Sequence, residues 1–193
     1  KCNVELPLSA PIMPKVDTPP EYPDNLSWLQ QICRSGCRQK LGFDIDTLED
    51  AGNPTVPREE RQKYKDRYEY EIDALTRMGF IDYTLLVYSY ANVGKRRGKG
   101  RGSGGGSLVN YFSNITDVDP IEHGLFFERY VDVSALGALE RGEITAKELK
   151  IPDIDLDFSG EDCKKVLKWI YDKYGEEKVA SIGKFGTNKT KGC

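Results

Sequence analysis

A chain of 193 residues has room for one sizeable domain, and 38% hydrophobic with 31% charged residues suits a globule with a modest core. The net charge of −3 excludes a global basic signal for nucleic acid, so any such signal must be local. No apolar run approaches the ~18 residues of a membrane span and no signal peptide is visible, so a cytoplasmic protein without membrane contact is expected.

Residues 1–23 are proline-rich with little periodicity and read as a linker or the tail of a preceding domain. The first residue is Lys1 rather than Met, as expected of a piece of a longer product. Asp24 or Asn25 can cap a helix over residues 26–41, with Leu26, Leu29, Ile32, Cys33 and Cys37 on one face. Residues 42–57 are a loop. Thr55 and Pro57 offer start signals for a helix over 58–78, which Gly79 closes. Its apolar stripe is Tyr64, Tyr68, Ile72, Leu75 and Met78, and the rest of it is charged and solvated. Residues 80–91 fit a strand or a buried helix equally by periodicity.

Next comes G-K-R-R-G-K-G-R-G-S-G-G-G-S over residues 94–107, with five basic residues (Lys95, Arg96, Arg97, Lys99, Arg101) and no acid. A glycine and serine loop leading into a helix lets backbone N–H groups converge on an anion, and arginines add bidentate phosphate contacts. Composition alone equally describes a flexible linker, but the interleaved cations and the apolar run 108–112 that follows argue against one. Lys99 precedes Gly100, which excludes a Walker A loop. Gly100, Gly102 and Gly105 satisfy G-x-G-x-x-G but lack the strand that a dinucleotide site requires. Asp117, Asp119 and Pro120 form a turn, residues 124–131 are a buried segment carrying Arg129, and 134–150 hold a short charged helix with a connecting turn.

Residues 151–158 read I-P-D-I-D-L-D-F. Strand side chains alternate with period two, which puts Asp153, Asp155 and Asp157 on one face and Ile154, Leu156 and Phe158 on the other. A half-buried strand with a solvated acidic face fits the pattern, and so does a site for hard divalent cations, which take oxygen ligands. A helix then runs from Ser159 or Glu161 to Tyr174, with Val166, Leu167, Ile170 and Tyr171 inward and Gly175 at its end. Residues 179–185 read as another strand. The five cysteines (Cys2, Cys33, Cys37, Cys163, Cys193) and one histidine give no zinc spacing, so free thiols in a reducing compartment are expected. A phosphate loop, an arginine and paired aspartates together describe nucleotidyl transfer with two metals about 4 Å apart.

The motifs G-R-G-S-G-G-G-S-L-V (100–109), I-T-D-V-D-P (115–120), L-F-F-E-R-Y (125–130), P-D-I-D-L-D-F (152–158) and K-F-G-T (184–187) occur in that order. Their sequence resembles the alpha subunit of bacterial DNA polymerase III, the C-family replicative polymerase of bacteria or phage, across essentially the whole chain. The resemblance implies an α+β fold: a mixed-sheet nucleotidyltransferase-type palm over 24–193, preceded by connecting helices, with 1–23 as the tail of the N-terminal polymerase-and-histidinol-phosphatase domain. It makes 80–91 a helix. It implies that Asp153 and Asp155 are catalytic and bind two Mg²⁺ ions with a third aspartate outside this chain. It assigns Arg101, Gly102, Ser103 and Arg129 to the incoming triphosphate. Implied partners are primer-template DNA, dNTP, the thumb, fingers and N-terminal domain of the full polymerase, and a sliding clamp with other replisome proteins. Residues 132–150 are longer than the link most relatives have there. A truncated gene fragment is the simplest account of the ending at Cys193, with an intein junction as another. A non-catalytic remnant binding DNA or a partner chain, or a different nucleotidyltransferase, are the alternative readings.

Overall fold

The computed structural model describes residues 15–145 and 148–180. The first six residues and K-F-G-T at 184–187 lie outside the described residues, as do 181–185 of the last expected strand. Helix α1 spans Asn25–Leu41. Its cap is Asp24, whose Oδ1 accepts the Ser27 N–H at 2.7 Å, and its end is Gly42 at φ 72°, a left-handed conformation suited to glycine. Asn25, the other candidate cap, instead ties α1 to its surroundings by donating to the Val16 carbonyl at 2.8 Å and Asp82 Oδ1 at 2.6 Å.

A short 3₁₀ turn, Arg58–Glu60, leads into α2, Arg61–Arg77. Helix α3, Ile81–Ala91, resolves the ambiguity of residues 80–91 in favour of helix. A second 3₁₀ turn, Gly102–Gly106, feeds the five-residue helix α4, Leu108–Phe112. Helix α5 is Ser134–Glu140 and α6 is Gly160–Tyr174, capped by Ser159 and ended by Gly175 at φ 87°. Helices α1 to α4 enclose one core that includes Leu29, Cys33, Leu75, Leu85, Leu108 and Phe112. Helix α6 reaches this core only at its edge. Val166 is buried, whereas Leu167, expected inward, is 45% exposed.

The mixed-sheet palm expected at 24–193 is not found: the described residues are helical and contain no strand. Residues 151–158 keep the expected alternation, with Ile154 and Leu156 packed on the core while Asp153 and Asp157 are exposed. What they lack is an extended neighbour. They lie beside residues 94–101, and only the isolated antiparallel bridges Arg97–Phe158 and Arg101–Asp155 connect the two. Gly100 at φ 121° and Gly102 at φ 68° turn that neighbour away from a strand path, and Pro152 has no N–H to give. Alternation specifies which side chains turn inward; a sheet also needs a partner backbone to bond.

Two close approaches hold the helices. Gly36 lets α1 lie on α4, since a Cβ there would sit 1.8 Å from the Phe112 carbonyl oxygen. Glu71, fully buried on α2, accepts the Leu108 N–H on Oε1 and the Val109 N–H on Oε2, both at 3.0 Å. It also accepts the Ser107 hydroxyl at 2.8 Å and Arg67 Nε at 2.7 Å. Burial pushes the Glu71 carboxyl above its ordinary value, while these donors pull against the shift. Burial likewise raises the thiol of Cys33, and that of Cys37 to about 12, which makes both inert core groups.

Glu71→Ala should lower stability by about 3–5 kcal/mol in urea unfolding, because it strands buried donors and a partly buried guanidinium. Gly36→Ala should also destabilise the chain, although an alanine in a helix ordinarily favours folding; Gly160→Ala, with open space around it, should gain up to about 0.4–1 kcal/mol.

Candidate functional site

The glycine-rich segment is not one uniform loop. Residues 104–110 are buried, whereas 94–103 are open to solvent or partly so. The buried end is fixed by the Glu71 carboxylate and by Asn110 Nδ2, which donates to the Gly104 carbonyl at 3.0 Å. This corrects the idea that the helix start offers its N–H groups to an external anion. The Leu108 and Val109 N–H groups already bind a resident carboxylate, and α4 is too short to carry much of a dipole.

The open end faces a cavity of about 500 Å³ lined by Gly102, Ser103, Gly106, Leu125, Phe126 and Arg129. Gly102, Ser103 and Arg129, singled out from the sequence, therefore share one cavity. Arg129 sits at the end of the 3₁₀ turn Phe127–Arg129. Phe127 is fully buried and anchors that turn, packing edge-on against Tyr70 and Tyr130 at 5.8 and 6.0 Å. The Tyr70 hydroxyl donates to Glu128 Oε1 at 2.8 Å. Arg129 itself makes no ion pair among the described residues. Residues 124–131 are thus only partly the buried segment expected: Phe127, Tyr130 and Val131 are inside, and Leu125, Phe126 and Arg129 are not.

Arg101 points elsewhere. Its Nη2 lies 3.3 Å from Asp155 Oδ1 and its Nε 3.0 Å from Asp157 Oδ2, so it bridges two of the three aspartates. Asp155 is placed directly against the loop, since a Cβ on Gly102 would meet its Oδ2 at 2.6 Å. Gly102 therefore touches both the cavity and a carboxylate, and its φ of 68° is one that other residues rarely adopt. Asp153 is exposed and its carboxylate has no hydrogen-bond or ion-pair partner among the described residues; its backbone carbonyl accepts the Ser103 hydroxyl at 3.4 Å. Its charge, second to burial, raises the Tyr83 phenol. No cluster of three His, Cys, Asp or Glu side chains suited to a metal ion occurs among the described residues. No helix among them is long and apolar enough to cross a membrane.

Two other cations of the segment are tied down, Arg96 to the helix that follows the aspartates and Arg97 to residues 114–117. Arg96 pairs with Glu161, and its N–H donates to Asp162 Oδ2 at 2.7 Å. Arg97 donates to the Asn114 carbonyl and approaches Asp117 at 3.4 Å. Hydrogen bonds from Gly98 N–H to the Asp157 carbonyl (2.8 Å) and from Ser159 N–H to the Arg96 carbonyl (3.1 Å) complete the latch. Sequence reasoning missed Glu71, Arg67 and Phe126. Glu71 carried a signal: with Tyr64, Tyr68 and Leu75 it falls on the inward stripe of α2, where an acid needs a buried partner.

Comparison with known proteins agrees with the family that the motifs resemble. The family model described as "Bacterial DNA polymerase III alpha NTPase domain" matches residues 27–193. The chain is 35% identical over 186 residues to the DNA polymerase III subunit alpha of Aquifex aeolicus, covering 93% of this chain and 14% of that protein. It is 37% identical over 177 residues to that of Yersinia pestis, covering 88% and 14%, and 37% identical over 176 residues to that of Mycobacterium tuberculosis, covering 89% and 12%. The chain thus spans about 14% of the length of such relatives. On the family match and these identities, the chain belongs to the bacterial DNA polymerase III alpha family.

Proposed function

We propose that this chain supplies the incoming-nucleotide pocket and two metal-binding carboxylates of a DNA-directed DNA polymerase that extends primers during replication. Residues 24–193 would belong to its catalytic domain, with 1–23 leading in from an N-terminal domain. One observation carries the reading. Gly102, Ser103 and Arg129, which has no ion pair among the described residues, line one cavity, and the same Gly102 abuts Asp155. A triphosphate in this cavity would have a hydroxyl donor in Ser103, a planar cation in Arg129, and carboxylates one residue's width away.

Asp153 and Asp155 suit a divalent cation by the kind of donor they offer. Their oxygens are hard ligands, and Asp155 already draws the cationic Arg101 to it. They are the residues that would hold Mg²⁺, with a third carboxylate from another part of the polymerase. Bound Mg²⁺ supplies activation of the primer hydroxyl and stabilisation of the leaving phosphate oxygen. This chain's own contribution is placement. Arg129 and Ser103 hold the phosphates, and the turn anchored by Phe127 keeps Arg129 in position. Arg101, shared between Asp155 and Asp157, restrains both carboxylates and is close enough to Gly102 to serve the triphosphate as well. Primer-template DNA, dNTP, the remainder of the polymerase and a sliding clamp are the partners of the full enzyme on this reading, which acts in the cytoplasm.

In the complete polymerase, Arg129→Ala should raise the nucleotide KM by about tenfold or more, the scale of a lost charge-assisted hydrogen bond, and leave duplex affinity unchanged. Ser103→Ala should act in the same direction and more weakly. Steady-state kinetics beside a DNA titration decide the matter: an equal loss of DNA affinity would move both residues to the duplex. The 193-residue chain alone should extend no primer, because positioning and a full ligand set supply most of the rate. Extension by the isolated chain, abolished by Asp155→Ala, would refute the need for a carboxylate from elsewhere.

A further inference from the structure

The cavity has two unlike walls. Gly102, Ser103 and Arg129 offer polar groups, whereas Leu125 and Phe126 offer only carbon. Phe126 is 65% exposed, the most open of the large hydrophobic side chains among the described residues. Its backbone, by contrast, is held on both sides. Gly106 lies so close that a Cβ would meet the Phe126 carbonyl oxygen at 2.7 Å, and Arg67 donates to the carbonyls of Gly106 at 2.8 Å and Leu125 at 3.3 Å. The next residue, Phe127, is locked in the core. A fixed backbone thus presents a bare aromatic ring at the mouth of a cavity whose other wall suits phosphate.

We infer that Phe126 carries the nucleoside half of the incoming nucleotide, its ring against the base and sugar, while Arg129 and Ser103 take the phosphates. The inference rests on the triphosphate reading of this cavity. An aromatic face suits the task because every base has a π face, so stacking tolerates all four bases that a polymerase must accept. The ring has few rotatable bonds and sits on an anchored turn, so little freedom is lost when a ligand covers it.

The test uses the complete polymerase with two competing probes, dNTP and inorganic tripolyphosphate. Phe126→Ala should raise the KM for each of the four dNTPs by about tenfold and leave inhibition by tripolyphosphate unchanged, and Phe126→Tyr should behave as wild type. Arg129→Ala should weaken both probes. If Phe126→Ala alters neither probe, or weakens both alike, the ring does not meet the nucleoside and the inference fails. A fall in thermal stability alone would equally overturn it, by showing that another part of the polymerase covers the ring. If Arg129→Ala alters neither probe while Phe126→Ala still raises nucleotide KM, the triphosphate assignment fails and the nucleoside contact stands.

Discussion

Everything near the cavity depends on a single buried acid. A carboxylate in a core is costly unless its lone pairs are filled, and Glu71 fills them with two backbone N–H groups, a serine hydroxyl and an arginine. The bonds run from α2 to the start of α4, so they join two helices through the glycine segment rather than through apolar contact alone. Arg67 extends the reach. The guanidinium that pairs with Glu71 also holds the carbonyls of Gly106 and Leu125, both of which line the cavity. Two parts of the cavity's lining are therefore tied to a side chain one helical turn from the buried acid.

On the proposed reading, this arrangement changes how the segment would meet phosphate. Glycines followed by a helix suggest that the helix start receives the anion. Here the protein supplies its own anion at that place, and a phosphate would be left the exposed end of the loop with Arg129, which comes from a different turn of the chain. The dense cations have a divided fate. Arg96 and Arg97 stitch the loop to Glu161, Asp162, Asn114 and Asp117, while Arg101 neutralises aspartates. The solvent-exposed pairs among these, such as Arg96 with Glu161, contribute little each. Their value lies in register: with the Gly98 and Ser159 hydrogen bonds they fix residues 155–159 opposite the loop, and so fix Asp155 against Gly102.

Much was legible because it is local. The caps Asp24 and Ser159 and the ends Gly42, Gly79 and Gly175 lie beside the helices they bound, and a side chain can satisfy a nearby backbone group whatever the rest of the chain does. The inward stripe of α2 and the alternation through 151–158 follow from the geometry of one element. The ordered motifs from the loop to the aspartates were enough to indicate the family that the comparisons bear out. Three of the cavity's residues, Gly102, Ser103 and Arg129, were named from those motifs.

Other features depend on which segments meet, and a linear pattern does not contain that. An alternating stretch becomes a strand only when another extended backbone bonds to it, and the neighbour of 151–158 is a loop turned by Gly100 and Gly102. A glutamate on an apolar stripe signals burial, but its partners lie 36 to 38 positions onward in sequence. The exposure of Phe126 beside the wholly buried Phe127 could not be read from two identical letters, because only the packing of Tyr70 and Tyr130 decides which ring goes in. The sequence by itself determined α1, α2 and α6 with their ends, and the family to which the motifs belong. The tertiary structure decided which charges face one another and which are left for a ligand, since a hydrogen bond needs its partner within about 3 Å and only folding sets that distance.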